Sequence, residues 1–344
     1  MTLMKLDGQK LVEMEAPTCA RRLVAFGNSI SAQKAGFFPR ICTELSDQGD
    51  LLFENASVGG VGTMGITALS RFFLRPGLPG VAIVETSASD AAGATPLGDL
   101  SVIFNELLDI VLSYGLTPLV VHLPRFDLSE KQLTAVTAIQ DRICARRGVT
   151  ALNLRFDLSA ADTHDGVHLT ESGAQRVAGL LLKPIREMIA MPSSDTELRI
   201  HRSSIELRTC AEGGWNCTDG QQGSFRLLVP TRRFAGREII RIERSPATIL
   251  GLVAVVGPSS GAIHVVGSQR DMRIQLWDEW STFRRLQVVH LPRQLRHRDS
   301  LTISLSEDGR AEIDAWGTPS SIDRVGASLE IVGLMSCLQR SEDP

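Results

Sequence analysis

Two patterns of apolar residues divide the chain. In the first half, unbroken apolar runs alternate with segments whose apolar residues recur every three or four positions. The runs are Leu23-Val24-Ala25-Phe26, Leu51-Leu52-Phe53 and Val81-Ala82-Ile83-Val84, and Thr117 to Leu123 and Thr150 to Leu154 read as a fourth and a fifth strand. A run of strand length with no polar face predicts a strand covered on both sides. Between the runs, helical spacing joins Phe37, Phe38, Ile41, Cys42 and Leu45, and again Thr67 to Leu74. Leu100 to Tyr114 carries Val102, Ile103, Leu107, Ile110 and Val111 and stops at Gly115. Ser129 to Arg147 is closed by Gly148, and a last helix opens at Thr170 and runs to about Met188, with a kink expected at Pro184. Strands alternating with helices predict an α/β fold, a parallel sheet with helices on both faces. Residues 1–17 read as a weak strand or an arm.

After Pro192-Ser193-Ser194 the helical spacing disappears. Short alternating runs follow, among them Leu198 to Leu207, Phe225 to Val229, Leu250 to Val256, Ile263 to Val266, Met272 to Trp277, Leu301 to Leu305 and Leu329 to Leu334, punctuated by Gly, Pro, Ser and Asp. This pattern predicts an all-β sandwich or jelly roll. The boundary is placed at 192–196, giving a domain over 1–192 and a second over 196–344. Composition changes at the same place. All five lysines precede residue 195, and all four tryptophans (Trp215, Trp277, Trp280, Trp316) follow it.

The bulk numbers narrow the functional classes. Hydrophobic residues make up 43% and charged residues 22% of 344, as in a soluble globular protein. A net charge of −3 supplies no electrostatic drive toward nucleic acid or membranes, so neither is expected as a partner. The first residues carry Lys5, Asp7, Lys10, Glu13 and Glu15 and hold no apolar core of a secretory signal, and the longest apolar run, Ile249 to Val256, is too short to span a bilayer. A cytoplasmic protein is the expectation. Six cysteines do not form a disulfide framework. Cys19, Cys42 and Cys144 read as small buried hydrophobes; Cys210 and Cys217 read as free thiols, or as a pair in an oxidising compartment.

Two stretches carry candidate chemistry. Gly27-Asn28-Ser29 follows the first run and delivers a serine at the carboxyl end of a strand, where open α/β sheets bind ligands. Asp165-Gly166-Val167-His168 lies between the last strand and the last helix. A serine hydroxyl needs an imidazole to take its proton, and the imidazole needs an acceptor to fix its tautomer. Ser29, His168 and Asp165 supply nucleophile, base and orienter. The alternative of a metal site at His164, Asp165 and His168 has only His122 to complete it in this half, so no metal and no cofactor are expected. The tryptophans suit either core packing or stacking on sugar rings, with Trp277-Asp278-Glu279-Trp280 the place to look first. Phe37 to Arg40 and Arg125 to Ser129 are expected as loops walling the pocket.

These blocks resemble the SGNH (GDSL-type) hydrolases over residues 18–190. Gly27-Asn28-Ser29 is similar to the first block of that family, usually Gly-Asp-Ser. Asn55-Ala56-Ser57-Val58-Gly59-Gly60 resembles the second, Ser87-Ala88-Ser89-Asp90 stands where the third, Gly-x-Asn-Asp, is expected, and Asp165-Gly166-Val167-His168 resembles the fifth. The order is the family's, and each block follows a predicted strand. The resemblance implies a flavodoxin-like parallel sheet, the triad already named, and oxyanion donors at the backbone of Ser29 and Gly60. Asn55 reads as structural, bracing the turn. Three positions depart: Asn28 replaces aspartate, Ser87 replaces glycine, and Ser89 replaces the asparagine that donates to the oxyanion. Loss of one oxyanion donor costs about 100- to 1000-fold in rate, so Ser89 either substitutes or leaves the site slow or altered.

The resemblance implies a serine esterase that removes a small acyl group, such as acetyl, from a carbohydrate or related alcohol through an acyl-enzyme on Ser29. Two alternatives stand beside it: an O-acyltransferase with a glycan acceptor, and a glycan-binding module on a degenerate catalytic domain. The expected partner is a small-molecule or glycan ester, and oligomeric state is open.

Overall fold

The computed structural model describes residues 3–7, 10–14, 21–48, 51–74 and 78–191, then 205–209, 216–222, 225–235, 239–242, 247–267, 270–277, 285–292, 295, 301–306, 311–314, 320 and 328–338. The chain opens with a hairpin of β1 (Leu3–Asp7) and β2 (Lys10–Met14), where only a weak strand or arm is expected. The α/β region then runs β3 (Arg21–Gly27), α1 (Ser29–Ala32), α2 (Phe37–Leu45), β4 (Leu51–Asn55), α3 (Thr63–Phe73), β5 (Gly80–Glu85), α4 (Ser87–Ala91), α5 (Leu97–Ser113), β6 (Leu116–His122), α6 (Glu130–Arg147), β7 (Thr150–Asn153) and α7 (Glu171–Ala190). The five strands form one parallel sheet in the order β4-β3-β5-β6-β7.

Two-sided burial explains the apolar runs of β3 and β5, whereas Leu51-Leu52-Phe53 lies on the edge strand β4 and is only half-buried. In β3, Leu23 and Ala25 pack with Ile30, Phe37, Ile41 and the α7 residues Val177 and Leu181. Val24 and Phe26 point the other way, into a core with Met64, Leu69, Phe104, Leu107 and Val136. Strands β5 and β6 divide their side chains in the same manner. Each fully buried Leu, Ile, Val or Phe contributes about 1.5–3 kcal/mol, so this sheet is where the α/β region is held together.

Helix ends follow local rules where a cap is available. Ser129 and Gln132 form a capping box on α6, and Gly148 ends it in the left-handed region at φ +67°. The Gly173 N–H donates to Thr170 Oγ1 at the start of α7. That helix continues through Pro184; the carbonyl freed by the missing N–H belongs to Leu180, on a solvent-facing turn. Helix α3 begins four residues before the predicted Thr67. Its local cap, Gly62, has no side chain, and the distant Asp90 accepts the Thr63 N–H instead (2.8 Å).

The later part is built of β8 (Ile205–Thr209), β9 (Asn216–Gln222), β10 (Phe225–Ala235), β11 (Ile239–Ile242), β12 (Ala247–Val256), β13 (Ala262–Val266), β14 (Asp271–Gln275), β15 (Arg285–His290), β16 (Leu301–Leu305), β17 (Ile313–Asp314) and β18 (Ser328–Leu338). They form two sheets, β15-β12-β18-β10-β9 with β8 also on β18, and β11-β16-β13-β14-β17. Leu252, Ala254, Val256 and Val289 of the first meet Ile263, Val265, Ile274 and Ile303 of the second, the inner core of a sandwich. β9 has no counterpart in the apolar pattern. Its sequence, Asn-Cys-Thr-Asp-Gly-Gln-Gln, is polar, and it is an edge strand paired with β10. The predicted boundary at 192–196 lies outside the described residues.

Strand β12 contains the longest apolar run of the chain, and it too is covered on both faces. Leu252, Ala254 and Val256 face the sandwich core, whereas Leu250, Val253 and Val255, with Leu286 and Val288 of β15, join the core that contains α3 and α5. The two regions therefore share an apolar interface. His290 of β15 and Asp99 of α5 approach to 3.8 Å at its edge.

Gly251 lies against Met64 of α3 at this interface. A Cβ there would lie 2.7 Å from both Met64 Cε and the Val289 carbonyl oxygen, and the second is backbone that cannot swing aside. Gly251→Val is expected to destabilise the whole chain by about 1–3 kcal/mol through overpacking. Thermal denaturation followed by circular dichroism checks this, and an unchanged melting temperature would contradict it.

Candidate active site

The carboxyl ends of β4, β3 and β5 meet at one edge of the sheet, and Ser29 stands just past the end of β3, which lies between the other two. Asn28 caps α1: the Ile30 N–H donates to its Oδ1 (2.9 Å), which leaves the Ser29 N–H, at the first helical position, with no acceptor inside the helix. The other end of the Asn28 amide donates from Nδ2 to Glu85 Oε1 (3.0 Å), and Ser31 Oγ donates to Glu85 Oε2 (3.1 Å). One buried carboxyl thus holds residues on both sides of Ser29. Glycine is required at position 27, where a Cβ would fall 2.3 Å from Ser31 Oγ and 2.9 Å from the Glu85 carbonyl oxygen.

His168 comes from the turn before α7. Its Nε2 is 2.9 Å from Ser29 Oγ, and its Nδ1 is 2.7 Å from Asp165 Oδ2. A carboxylate only accepts, so the proton of the neutral ring sits on Nδ1 and Nε2 is free to accept from the serine hydroxyl. Asp165 Oδ1 also accepts the N–H groups of Val167 (2.9 Å) and His168 (2.8 Å), which makes the turn rigid. The His168 contact above all, with these backbone donors, holds the Asp165 carboxyl well below the usual carboxylate range. The site is open: the His168 and Asp165 side chains are 39% and 53% exposed.

The second and third blocks flank the serine. The Ala56 N–H donates to Ala25 O (2.8 Å) and the Val58 N–H to Gly27 O (2.9 Å), so the chain after β4 keeps company with β3 as far as Ser29. Asn55 braces this path, donating to Ser31 O (3.0 Å) and accepting from the Ser57 N–H (3.0 Å). The exposed turn Gly59-Gly60 follows, with Gly60 at φ +73°, and a Cβ on Gly59 would be 3.7 Å from Ser29 Cβ. Ser89 lies half-buried on α4, and its hydroxyl has no partner among the described residues. Ser87, at the glycine position of the third block, is fully buried and its Oγ is also unpaired.

Asp90 ties these blocks together. It accepts from the Thr63 N–H (2.8 Å), Thr63 Oγ1 (2.5 Å) and Gln140 Nε2 (3.0 Å), while Thr95 Oγ1 accepts the Met64 N–H (2.9 Å). The start of α3, just beyond Gly60, is therefore fixed from the third block. Burial pushes the Asp90 carboxyl up to about 6 and the Glu85 carboxyl up to about 8, against the hydrogen bonds each accepts.

Sequence reasoning missed several residues that shape the site. Glu85 reads as the polar end of a buried run. Gln33 carries no signal in the residue pattern, yet its amide bonds both backbone groups of Leu169. Arg125 donates to both carboxylate oxygens of Asp127 (2.8 and 2.9 Å) and to Ala88 O (3.1 Å), and the Phe126 N–H donates to Gly166 O (2.7 Å). This expected loop therefore borders both the third block and the histidine turn. The other expected wall, Phe37 to Arg40, is corrected: these residues form the first turn of α2, Phe37 and Phe38 are core, and Arg40 bonds Gln175 and Glu171 of α7. His122 is buried and paired with Asp141 (2.9 Å). Trp215, Trp280, Trp316, Cys19 and Cys210 lie outside the described residues, and so does the side chain of Cys217. No group of three potential ligands suited to a metal ion occurs among the described residues, and no helix among them is long and apolar enough to cross a membrane.

Solved structures with a similar fold exist. A two-domain esterase (CEX) active on acetylated mannans is similar at a TM-score of 0.62 and 12% identity, over 92% of this chain and 91% of that one. The same esterase co-crystallised with mannopentaose is similar at 0.63 and 12% identity, over 94% and 93%. The likeness spans both regions and shows a shared fold, α/β followed by β-rich sheets. No family model and no curated protein sequence matches the chain.

Two outcomes follow from the buried polar groups. Both raised carboxyls hold their protons more tightly in the folded chain than their ordinary values of 4.5 and 3.8 allow. Their stabilisation is complete below those values and is lost as pH rises, through about 6 for Asp90 and about 8 for Glu85. Glu85→Gln keeps an acceptor for Asn28 and cannot ionise, so it is expected to flatten the upper part of this decline. Melting curves at pH values from about 5 to about 9 test it, and parallel declines in wild type and variant would refute the assignment. Ser87→Ala removes an unpaired buried hydroxyl and is expected to raise stability by about 1 kcal/mol, measured by urea denaturation.

Proposed function

We propose that the protein is a serine ester hydrolase of the SGNH type that removes a small acyl group, acetyl above all, from a carbohydrate. The observation that carries the reading is the continuous chain Ser29 Oγ, His168 Nε2, His168 Nδ1, Asp165 Oδ2, with contacts of 2.9 and 2.7 Å. Ser29 attacks the ester carbonyl as its proton passes to His168 Nε2, and Asp165 stabilises the imidazolium that forms. The tetrahedral oxyanion faces the N–H groups of Ser29 and Gly60, and the unpartnered Ser89 hydroxyl is the third donor. Collapse returns the proton to the leaving alcohol and leaves the acyl group on Ser29 Oγ. Water, deprotonated by His168, then releases the carboxylic acid.

Three observations support the details. Asp165 stays ionised across the working range of such a reaction, because its bonds to His168 depress its titration. The exposure of His168 and Asp165 favours water as the acceptor over a sequestered second alcohol. An acetylated carbohydrate is favoured because two solved structures similar over nearly the full length are of an esterase active on acetylated mannans.

Ser29→Ala is expected to lower kcat on 4-nitrophenyl acetate and acetate release from acetylated mannan by about 10⁴-fold or more; unchanged hydrolysis would overturn the proposal. Ser89→Ala is expected to cost about 100-fold in kcat with little change in KM, and wild-type kcat would remove Ser89 from the oxyanion site.

A further inference from the structure

Gln33 occupies a place that the triad alone does not explain. It caps the carboxyl end of α1, the helix that begins with Ser29, and its own N–H donates to Ile30 O (3.4 Å). Its side chain reaches Leu169, the residue after His168. Gln33 Nε2 donates to Leu169 O (3.2 Å), and the Leu169 N–H donates to Gln33 Oε1 (3.1 Å).

The reason lies in the register of the histidine turn. Thr163 and Leu169 form an isolated antiparallel bridge, closed by bonds from the His164 N–H to His168 O (2.8 Å) and from the Thr170 N–H to Asp162 O (2.9 Å). In such a pair the N–H and C=O of the bridged residue point away from its partner. Both backbone groups of Leu169 therefore face outward from the turn, and Leu169 is only 3% exposed, so water does not serve them. The Gln33 amide meets both at once, as a neighbouring strand would.

Other contacts make the turn rigid without tying it to the nucleophile. Asp165 bonds the N–H groups of Val167 and His168, and the Phe126 N–H bonds Gly166 O. Among the described residues, the hydrogen bonds linking α1 and its cap to the turn are the Gln33 pair and the Ser29–His168 contact itself.

We infer that Gln33 is a positioning residue of the proposed esterase: its amide sets the distance and angle between His168 Nε2 and Ser29 Oγ. The inference rests on the proposed function. The amide suits the place because its two ends donate and accept at once, to the carbonyl and N–H of one residue. A carboxylate at 33 would accept from the Leu169 N–H but confront the Leu169 carbonyl oxygen, and would place negative charge one residue from His168.

The test uses the full chain with Gln33→Leu and the near-isosteric Gln33→Glu. Both are expected to lower kcat on 4-nitrophenyl acetate, and the rate of fluorophosphonate labelling of Ser29, by about 10- to 100-fold at little change in KM. In Gln33→Glu the added charge favours the imidazolium, so the acid limb of the kcat/KM profile is expected to move to higher pH. Melting curves identify a variant that is merely unfolded, and the folded one decides. Wild-type kcat and labelling in a folded variant would overturn the inference, and so would a loss in Gln33→Glu with an unmoved acid limb. Absence of both hydrolysis and labelling in the wild-type chain would instead overturn the esterase reading, and this inference with it.

Discussion

Buried backbone N–H and C=O groups must find partners, and at the carboxyl edge of a parallel sheet the neighbouring strands no longer supply them. The site is organised around that constraint. Asn28 takes the Ile30 N–H, Asn55 takes the Ser57 N–H and serves the Ser31 carbonyl, Asp90 takes the Thr63 N–H, and Gln33 takes both groups of Leu169. Asn28 and Asp90 serve the open first turns of helices, and Gln33 stands in for a missing strand. Each also joins two segments distant in sequence, so satisfying the backbone and assembling the site are one event. Pre-organisation follows, because a loop held by an amide or carboxylate has little freedom left to lose when substrate binds.

The same burial separates the acidic groups. Glu85 lies under the Ser29 turn and Asp90 at the start of α3, both shielded from water, and their titrations move up; Asp165 is half in solvent beside an imidazole, and its titration moves down. Location decides the direction in each case. Desolvation penalises the charged form of the first two, and a fixed donor favours the charged form of the third. The buried pair is thereby suited to scaffolding and the exposed residue to orienting a base.

The β-rich part is packed onto the α/β part through β12 and β15, which contribute Val253, Val255, Leu286 and Val288 to the core that contains α3. Helix α3 starts just after the Gly59-Gly60 turn, and its Met64 touches β12 at Gly251. The sandwich therefore backs the helix that follows the second block. This gives a physical reason for a shared core rather than a flexible tether between the two regions.

Much of this was legible in the residue pattern. Runs such as Leu23 to Phe26 announce strands buried on both faces, because any polar position would be desolvated. The helix of 129–147 carries its own caps, and Ser29, Asp165 and His168 stand out because their chemistry depends on residue type. What the sequence could not disclose depends on partners far along the chain. The polar strand Asn216–Gln222 is held by its pairing with β10. The early start of α3 depends on Asp90, and the two-sided burial of β12 on α3. Gln33 becomes a clamp only when Leu169 arrives beside it. Periodicity and local capping record what a segment needs from its immediate neighbours. Tertiary structure alone decides which distant group meets each remaining donor, acceptor and apolar face.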